Sequence, residues 1–214
     1  MPTTIEDLAA ELDAAEGIPG PWRAAFLAVP RYRFLPPRFW MDDEQGRPQP
    51  VSRDQDPDRW LAAAYSNIPI LTQFDDGDTE WPDTNGELCT SSVSKPDLVL
   101  RMLAALDVHE GQRVLEIGTG SGYHAALLAA RLGAENVTTV EIGPALADAA
   151  RAALDVTGFD VTVVTGDGIH GHSAGAPYDR VIATAAVRVG ELPAAWIAQT
   201  RPGGVIVTPM RTDF

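Results

Sequence analysis

The stretch Val114-Leu115-Glu116-Ile117-Gly118-Thr119-Gly120-Ser121-Gly122-Tyr123 decides the fold. A strand of buried composition empties into a turn with glycine at every second position, and Ala125 to Leu132 then reads as a helix stopped by Gly133. Glycines remove Cβ where the backbone must bend, take positive φ and lie close to a ligand, and the first amides of the following helix attract electron-rich groups. This is a nucleotide-binding turn. Its G-x-G-x-G spacing differs from the dinucleotide fingerprint, and aligning Gly120-x-Gly122-x-x-Ala125 to that fingerprint fails on register, because the strand ends at Ile117.

Outward from the turn the pattern repeats. Leu98, Val99, Met102, Leu103 and Leu106 fall on one helical face upstream of a strand at Arg113 to Ile117. Downstream, Val137 to Val140, Val161 to Val164, Arg180 to Ala183 and Val205 to Val207 read as strands, with a helix from Pro144 to Gly158 and a last one at Glu191 to Gln199. Such alternation predicts an α/β fold with a doubly wound, mainly parallel sheet, and a ligand at the carboxyl ends of its strands. Twelve of the 17 prolines and four of the five tryptophans lie at or before Pro96. Residues 1–96 are therefore expected to form a helical, loop-rich extension on the substrate side, and 97–214 the ligand-binding domain. Thr4 and Asp7 have capping-box spacing, Trp22 to Val29 reads as a helix, and Pro36 to Pro82 is expected to be weakly ordered.

Composition narrows the partners. With 30 acidic against 16 basic side chains the formal charge is −14. Such a surface repels a phosphate backbone, so nucleic acid is not expected. No segment approaches the roughly 20 apolar residues of a membrane span, and the first residues lack a basic-then-apolar leader, so a cytoplasmic protein without membrane contact is expected. Cys89 is the only cysteine, which excludes an intrachain disulfide. Asp75-Asp76-Gly77-Asp78 reads as a solvated turn without the terminal Glu of a calcium loop, and His170-x-His172 has no evident third ligand, so no metal is expected.

If the sheet is doubly wound, the exits of four strands converge. Glu141, about 20 residues beyond the glycines, is placed to accept hydrogen bonds from ribose hydroxyls. Asp167, between Gly166 and Gly168, suits an exocyclic amine, and Thr184-Ala185-Ala186 leave room for a substrate. With Glu116 ending its strand, the G-x-G-x-G run resembles motif I of S-adenosylmethionine methyltransferases.

From Ser92 to Pro209 the chain resembles the protein-L-isoaspartate O-methyltransferase family. The matching elements are Ser92-Val93-Ser94-Lys95-Pro96, the glycine run, Gly166-Asp167-Gly168, Ala176-Pro177-Tyr178-Asp179-Arg180 and Thr184-Ala185-Ala186. Upstream, Val29-Pro30-Arg31-Tyr32-Arg33-Phe34-Leu35-Pro36 is similar to the family's N-terminal stretch. The resemblance implies a class I, Rossmann-like methyltransferase with S-adenosylmethionine as cofactor. It implies that Ser94 positions the acceptor carboxylate. Ser92, Val93, Glu116, Gly118, Thr119, Gly120, Ser121, Gly122, Glu141, Ile142, Asp167, Gly168 and Thr184 would hold the cofactor. The implied activity is methyl esterification of an isoaspartyl or aspartyl carboxylate in a protein or peptide, with the ester then closing to a succinimide. The chain departs from the compact family pattern in its longer 37–91 segment, and the family's last strands are expected to fall outside residues 97–214. That segment and Val187-Arg188-Val189 also resemble a branch that methylates a chosen aspartate in ribosomally made precursor peptides to form aspartimide. A non-catalytic peptide-binding module is the reading of a different class.

Overall fold

The computed structural model describes residues 3–212. Two helices open it, α1 (Ile5–Ala15) and α2 (Gly20–Ala28). The predicted capping box is present: Asp7 N donates to Thr4 Oγ1 at 3.1 Å and Thr4 N to Asp7 Oδ2 at 3.2 Å.

The 36–82 region is ordered, which corrects the sequence expectation. It folds as β1 (Arg38–Asp42), β2 (Pro48–Ser52), α3 (Pro57–Ala64) and β3 (Ile70–Phe74). With β4 (Cys89–Val93) these strands make an antiparallel sheet in the order β2-β1-β3-β4. Pro48 and Pro50 disguise β2, yet as an edge strand it tolerates residues without an N–H. Trp40 and Trp60 are buried and their indoles donate to Asp83 O at 2.8 Å and Pro36 O at 2.9 Å, so the aromatic residues order this segment. The Asp75 turn is tied back rather than merely solvated, its carboxylate accepting from Leu88 N, Glu87 N and the Thr79 hydroxyl.

From Pro96 onward the expected alternation holds: α4 (Pro96–Leu106), β5 (Val114–Ile117), α5 (Tyr123–Leu132), β6 (Val137–Glu141), α6 (Pro144–Thr157), β7 (Thr162–Thr165) and β8 (Tyr178–Ala183). Then come β9 (Val187–Arg188), α7 (Ala194–Gln199), β10 (Thr200–Val207) and β11 (Met210–Arg211). The five-stranded sheet runs β10-β8-β5-β6-β7 with every pair parallel, and β11 pairs parallel with β9. The last helix starts at Ala194, three residues later than expected, because Pro193 precedes its first turn.

Side chains of β5 alternate between two cores. Val114 belongs to the larger one, with Leu103, Leu106, Leu127 and Leu128, whereas Leu115 and Ile117 pack with Val181 and Trp196 on the other face. The larger core also takes in Leu8, Trp22, Phe26, Phe34 and Phe39. Apolar packing is thus continuous across residue 96. Among the described residues no helix is long and apolar enough to cross a membrane.

Candidate functional site

The strand exits converge on a cleft of about 820 Å³ at the carboxyl edge of the sheet. Backbone bonds draw the exits together: Gly118 N donates to Val140 O at 2.9 Å, Thr184 N to Ile117 O at 2.9 Å and Gly166 N to Glu141 O at 2.8 Å. The Thr184 hydroxyl also donates to Gly118 O at 2.8 Å. Gly118 has φ +92°, and a Cβ there would lie 2.5 Å from that same hydroxyl. Glycine is required at this position on both counts.

Glu141 is 5% exposed at the end of β6. Its Oε2 accepts from Gly120 N at 2.8 Å and its Oε1 from Gly143 N at 3.0 Å, which fixes the carboxylate against the glycine turn while each oxygen keeps a further lone pair. Beyond β7, Asp167 Oδ1 accepts from Ile169 N at 2.9 Å and the side chain is exposed on the cleft. Gly168 lies against Ile117, where a Cβ would approach to 2.5 Å, and its carbonyl accepts from the Trp196 indole at 2.8 Å. Trp196 lines the cleft and pins the β7 exit. Sequence reading assigned it no role, because nothing local connects residue 196 to residue 168.

The opposite wall is β4 and the corner after it. Ser92, Val93 and Ser94 line the cleft together with Thr119, Gly120, Ser121, Ile142 and Thr184, so these predicted residues are brought together. Ser94 Oγ has no hydrogen-bond partner among the described residues. The corner is tied externally, Lys95 Nζ pairing with Asp97 at 2.8 Å and Asp97 N donating to Asn67 Oδ1 at 3.0 Å.

Two predicted cofactor residues do not reach the cleft. Glu116 shares the face of Val114, so period-2 alternation sends it under α5 rather than to the strand end. It is wholly buried: Oε1 lies 2.5 Å from His124 Nδ1, and Oε2 accepts from the Thr139 hydroxyl at 2.6 Å, which lies 2.7 Å from that of Thr119. Hydrogen-bonded to His124 on one side and to Thr139 on the other, it steadies the glycine turn from behind through the two threonines. Gly122 precedes α5 with φ +84°, and a Cβ there would meet Leu154 and Ala150 of α6 at 3.4 and 3.5 Å. Those are ordinary contact distances, so it is the left-handed backbone at the start of α5 that calls for glycine here. His124 went unread because its partner lies eight residues away, across the strand-to-helix turn.

A family model described as protein-L-isoaspartate(D-aspartate) O-methyltransferase matches residues 22–213. The chain belongs to this family. The protein-L-isoaspartate O-methyltransferase of Nitrobacter winogradskyi is 40% identical over 157 residues, covering 72% of this chain and 70% of that one. The enzyme of that name from Ignicoccus hospitalis is 43% identical over 124 residues, covering 57% of this chain and 58% of its own. A solved protein-L-isoaspartate O-methyltransferase superposes with a TM-score of 0.72 at 26% identity over 97% of this chain and 55% of the other. A Plasmodium falciparum structure in complex with S-adenosyl-L-homocysteine gives 0.68 at 15% identity over 100% and 87%, which shows the shared fold. The chain therefore spans little more than half the length of several relatives it matches.

Proposed function

We propose that the protein is an S-adenosylmethionine-dependent carboxyl O-methyltransferase that esterifies an isoaspartyl or aspartyl carboxylate in a protein or peptide. The observation that carries the reading is one cleft with the Ser94 hydroxyl, unpartnered among the described residues, on one wall and the tethered Glu141 carboxylate on the other. Family membership and the S-adenosyl-L-homocysteine complex of a structural neighbour support it.

The residues fit the cofactor. Glu141 retains acceptor capacity for a pair of hydroxyls, Asp167 is an exposed acceptor at the next exit, and Gly118, Gly120 and Gly168 line the cleft between them with backbone alone. When bound, S-adenosylmethionine supplies an electrophilic sulfonium methyl group. The chain's own part is orientation. A carboxylate of pKa about 4 is ionised at neutral pH and needs no general base, so a hydroxyl donor that aligns it is sufficient equipment. Ser94 is that donor in our reading, and residues of β4 and α4 line the cleft around it. The resulting ester carries a better leaving group than the carboxylate does: the following backbone nitrogen attacks its carbonyl carbon, the C–OCH3 bond breaks, methanol departs with the amide proton, and a succinimide closes.

Incubation with methyl-labelled cofactor and an isoaspartyl peptide tests this, with a conformationally constrained aspartyl peptide as the second acceptor. Base-labile label on the first supports repair-type chemistry, and on the second alone a dedicated modification. Tight peptide binding with label on neither, unaltered by Ser94→Ala, would replace the proposal with a binding module.

A further inference from the structure

One buried side chain ties the antiparallel sheet to the Ser94 corner. Arg31 is 0% exposed and its guanidinium sits in a cage of carbonyls. Nη1 donates to Ala63 O, Ala64 O and Ser66 O at 3.4, 3.5 and 3.1 Å. Nη2 donates to Ile68 O, Val93 O and Ser94 O at 2.9, 3.2 and 3.1 Å. No carboxylate pairs with it among the described residues, so peptide dipoles alone solvate the cation. Burial pushes its pKa down to about 10, which leaves it charged at neutral pH. Three residues on, Phe34 packs against Tyr123, the first residue of α5, with ring centroids 5.7 Å apart. Residues 31–34 therefore touch both the Ser94 corner and the helix that follows the glycine turn.

We propose that Arg31 is a positioning residue for methyl transfer: by clamping the Val93 and Ser94 carbonyls to residues 63–68, it sets where the Ser94 hydroxyl stands over the cleft. The proposal rests on the function given above. Because Ser94 Oγ has no partner among the described residues, its place is set by its backbone, and one of the groups holding that backbone is this guanidinium. The chemistry demands arginine. Two terminal nitrogens, fixed in one plane, reach two chain segments at once, whereas a lysine ammonium radiates three donors from a single point and cannot span both. The Asp97–Asn67 bond ties the same corner at the surface, so losing Arg31 loosens the corner rather than detaching it.

The test compares wild type, Arg31→Lys, Ser94→Ala and the double variant, measuring kcat and KM for an isoaspartyl peptide, S-adenosylhomocysteine affinity by calorimetry and amide exchange at residues 93–98. For Arg31→Lys we expect kcat to fall at least tenfold, with KM and cofactor-product affinity within threefold. In the Ser94→Ala background the same change should cost less than twofold, because both variants disable one device. A kcat within twofold of wild type, an equal loss in both backgrounds, or an affinity that falls in step with kcat would each overturn the proposal. If wild type transfers no methyl group, the proposed function fails by itself. Exchange then decides Arg31 alone: faster exchange at 93–98 but not in β5 upholds the clamp, and an unchanged pattern removes it. Should Arg31→Lys not fold, Arg31→Gln is held to the same criteria, and failure of both to fold marks the residue as purely structural and overturns the proposal.

Discussion

Gly118→Ala offers the sharpest check on how the strand exits are joined. Alanine at φ +92° meets left-handed backbone strain of about 1–2 kcal/mol. Its Cβ would also stand 2.5 Å from Thr184 Oγ1, far inside the 3.4 Å at which ordinary contact begins. The hydroxyl must swing away and give up its bond to Gly118 O, which costs about 1 kcal/mol more. The total, roughly 2–3 kcal/mol, corresponds to a midpoint lowered by about 4–12 °C in a chain of this size. Thr184→Ala alone should cost about 1 kcal/mol. Because it removes the atom that Gly118→Ala displaces, the double variant should be less damaged than the sum, by about 1 kcal/mol. Urea unfolding at constant m-value measures all four proteins, and calorimetry with S-adenosylhomocysteine reports whether the turn still binds. Strict additivity, or a Gly118→Ala cost below about 0.5 kcal/mol, would refute the argument that this glycine is dictated by the Thr184 contact.

The two glutamates at the strand ends should separate cleanly. Glu141→Ala should weaken S-adenosylhomocysteine binding by about 1–3 kcal/mol through lost charge-assisted bonds, while the protein stays folded; an unchanged dissociation constant removes Glu141 from the site. Glu116→Leu should do the reverse, costing about 2–4 kcal/mol of stability by stranding His124 and Thr139, with affinity changed much less. A tenfold loss of affinity at full stability would instead place Glu116 against the ligand. Asp75 gives a pH prediction: the Thr79 hydroxyl and then the Leu88 amide hold its carboxyl below the ordinary value of 3.8. A depressed folded pKa contributes stability that is present above the unfolded value and is lost as pH falls through the folded one. Thermal melts of Asp75→Asn should therefore differ from wild type at pH 6 and converge with it as pH drops below about 3.8; a gap that widens on acidification would show that the bonds favour the protonated acid.

Much of the functional half was legible because its determinants are local. The glycine run, the alternation of apolar strands with Ala/Leu-rich helices, and an acid one residue beyond a strand all follow from backbone sterics and period, and a parallel sheet then leaves its strand ends little choice but to meet. Glu116 shows where that reasoning stops. Its position in the strand was plain, but only the assembled layers put α5 over its face and turned it from a ligand contact into a brace for the turn. The 36–82 sheet was hidden for a related reason: prolines argue against strands until β2 is known to be an edge. Arg31 is the extreme case. Its six acceptors lie more than 30 residues away along the chain, and a buried cation held by carbonyls through its two terminal nitrogens leaves no charge pattern to read. The sequence by itself determined the fold class, the glycine turn and the residues at the strand exits, because those depend on near neighbours. Tertiary structure alone decided which of them face the cleft and what holds Ser94 in place, because a buried polar group finds its partners only when distant segments pack and exclude water.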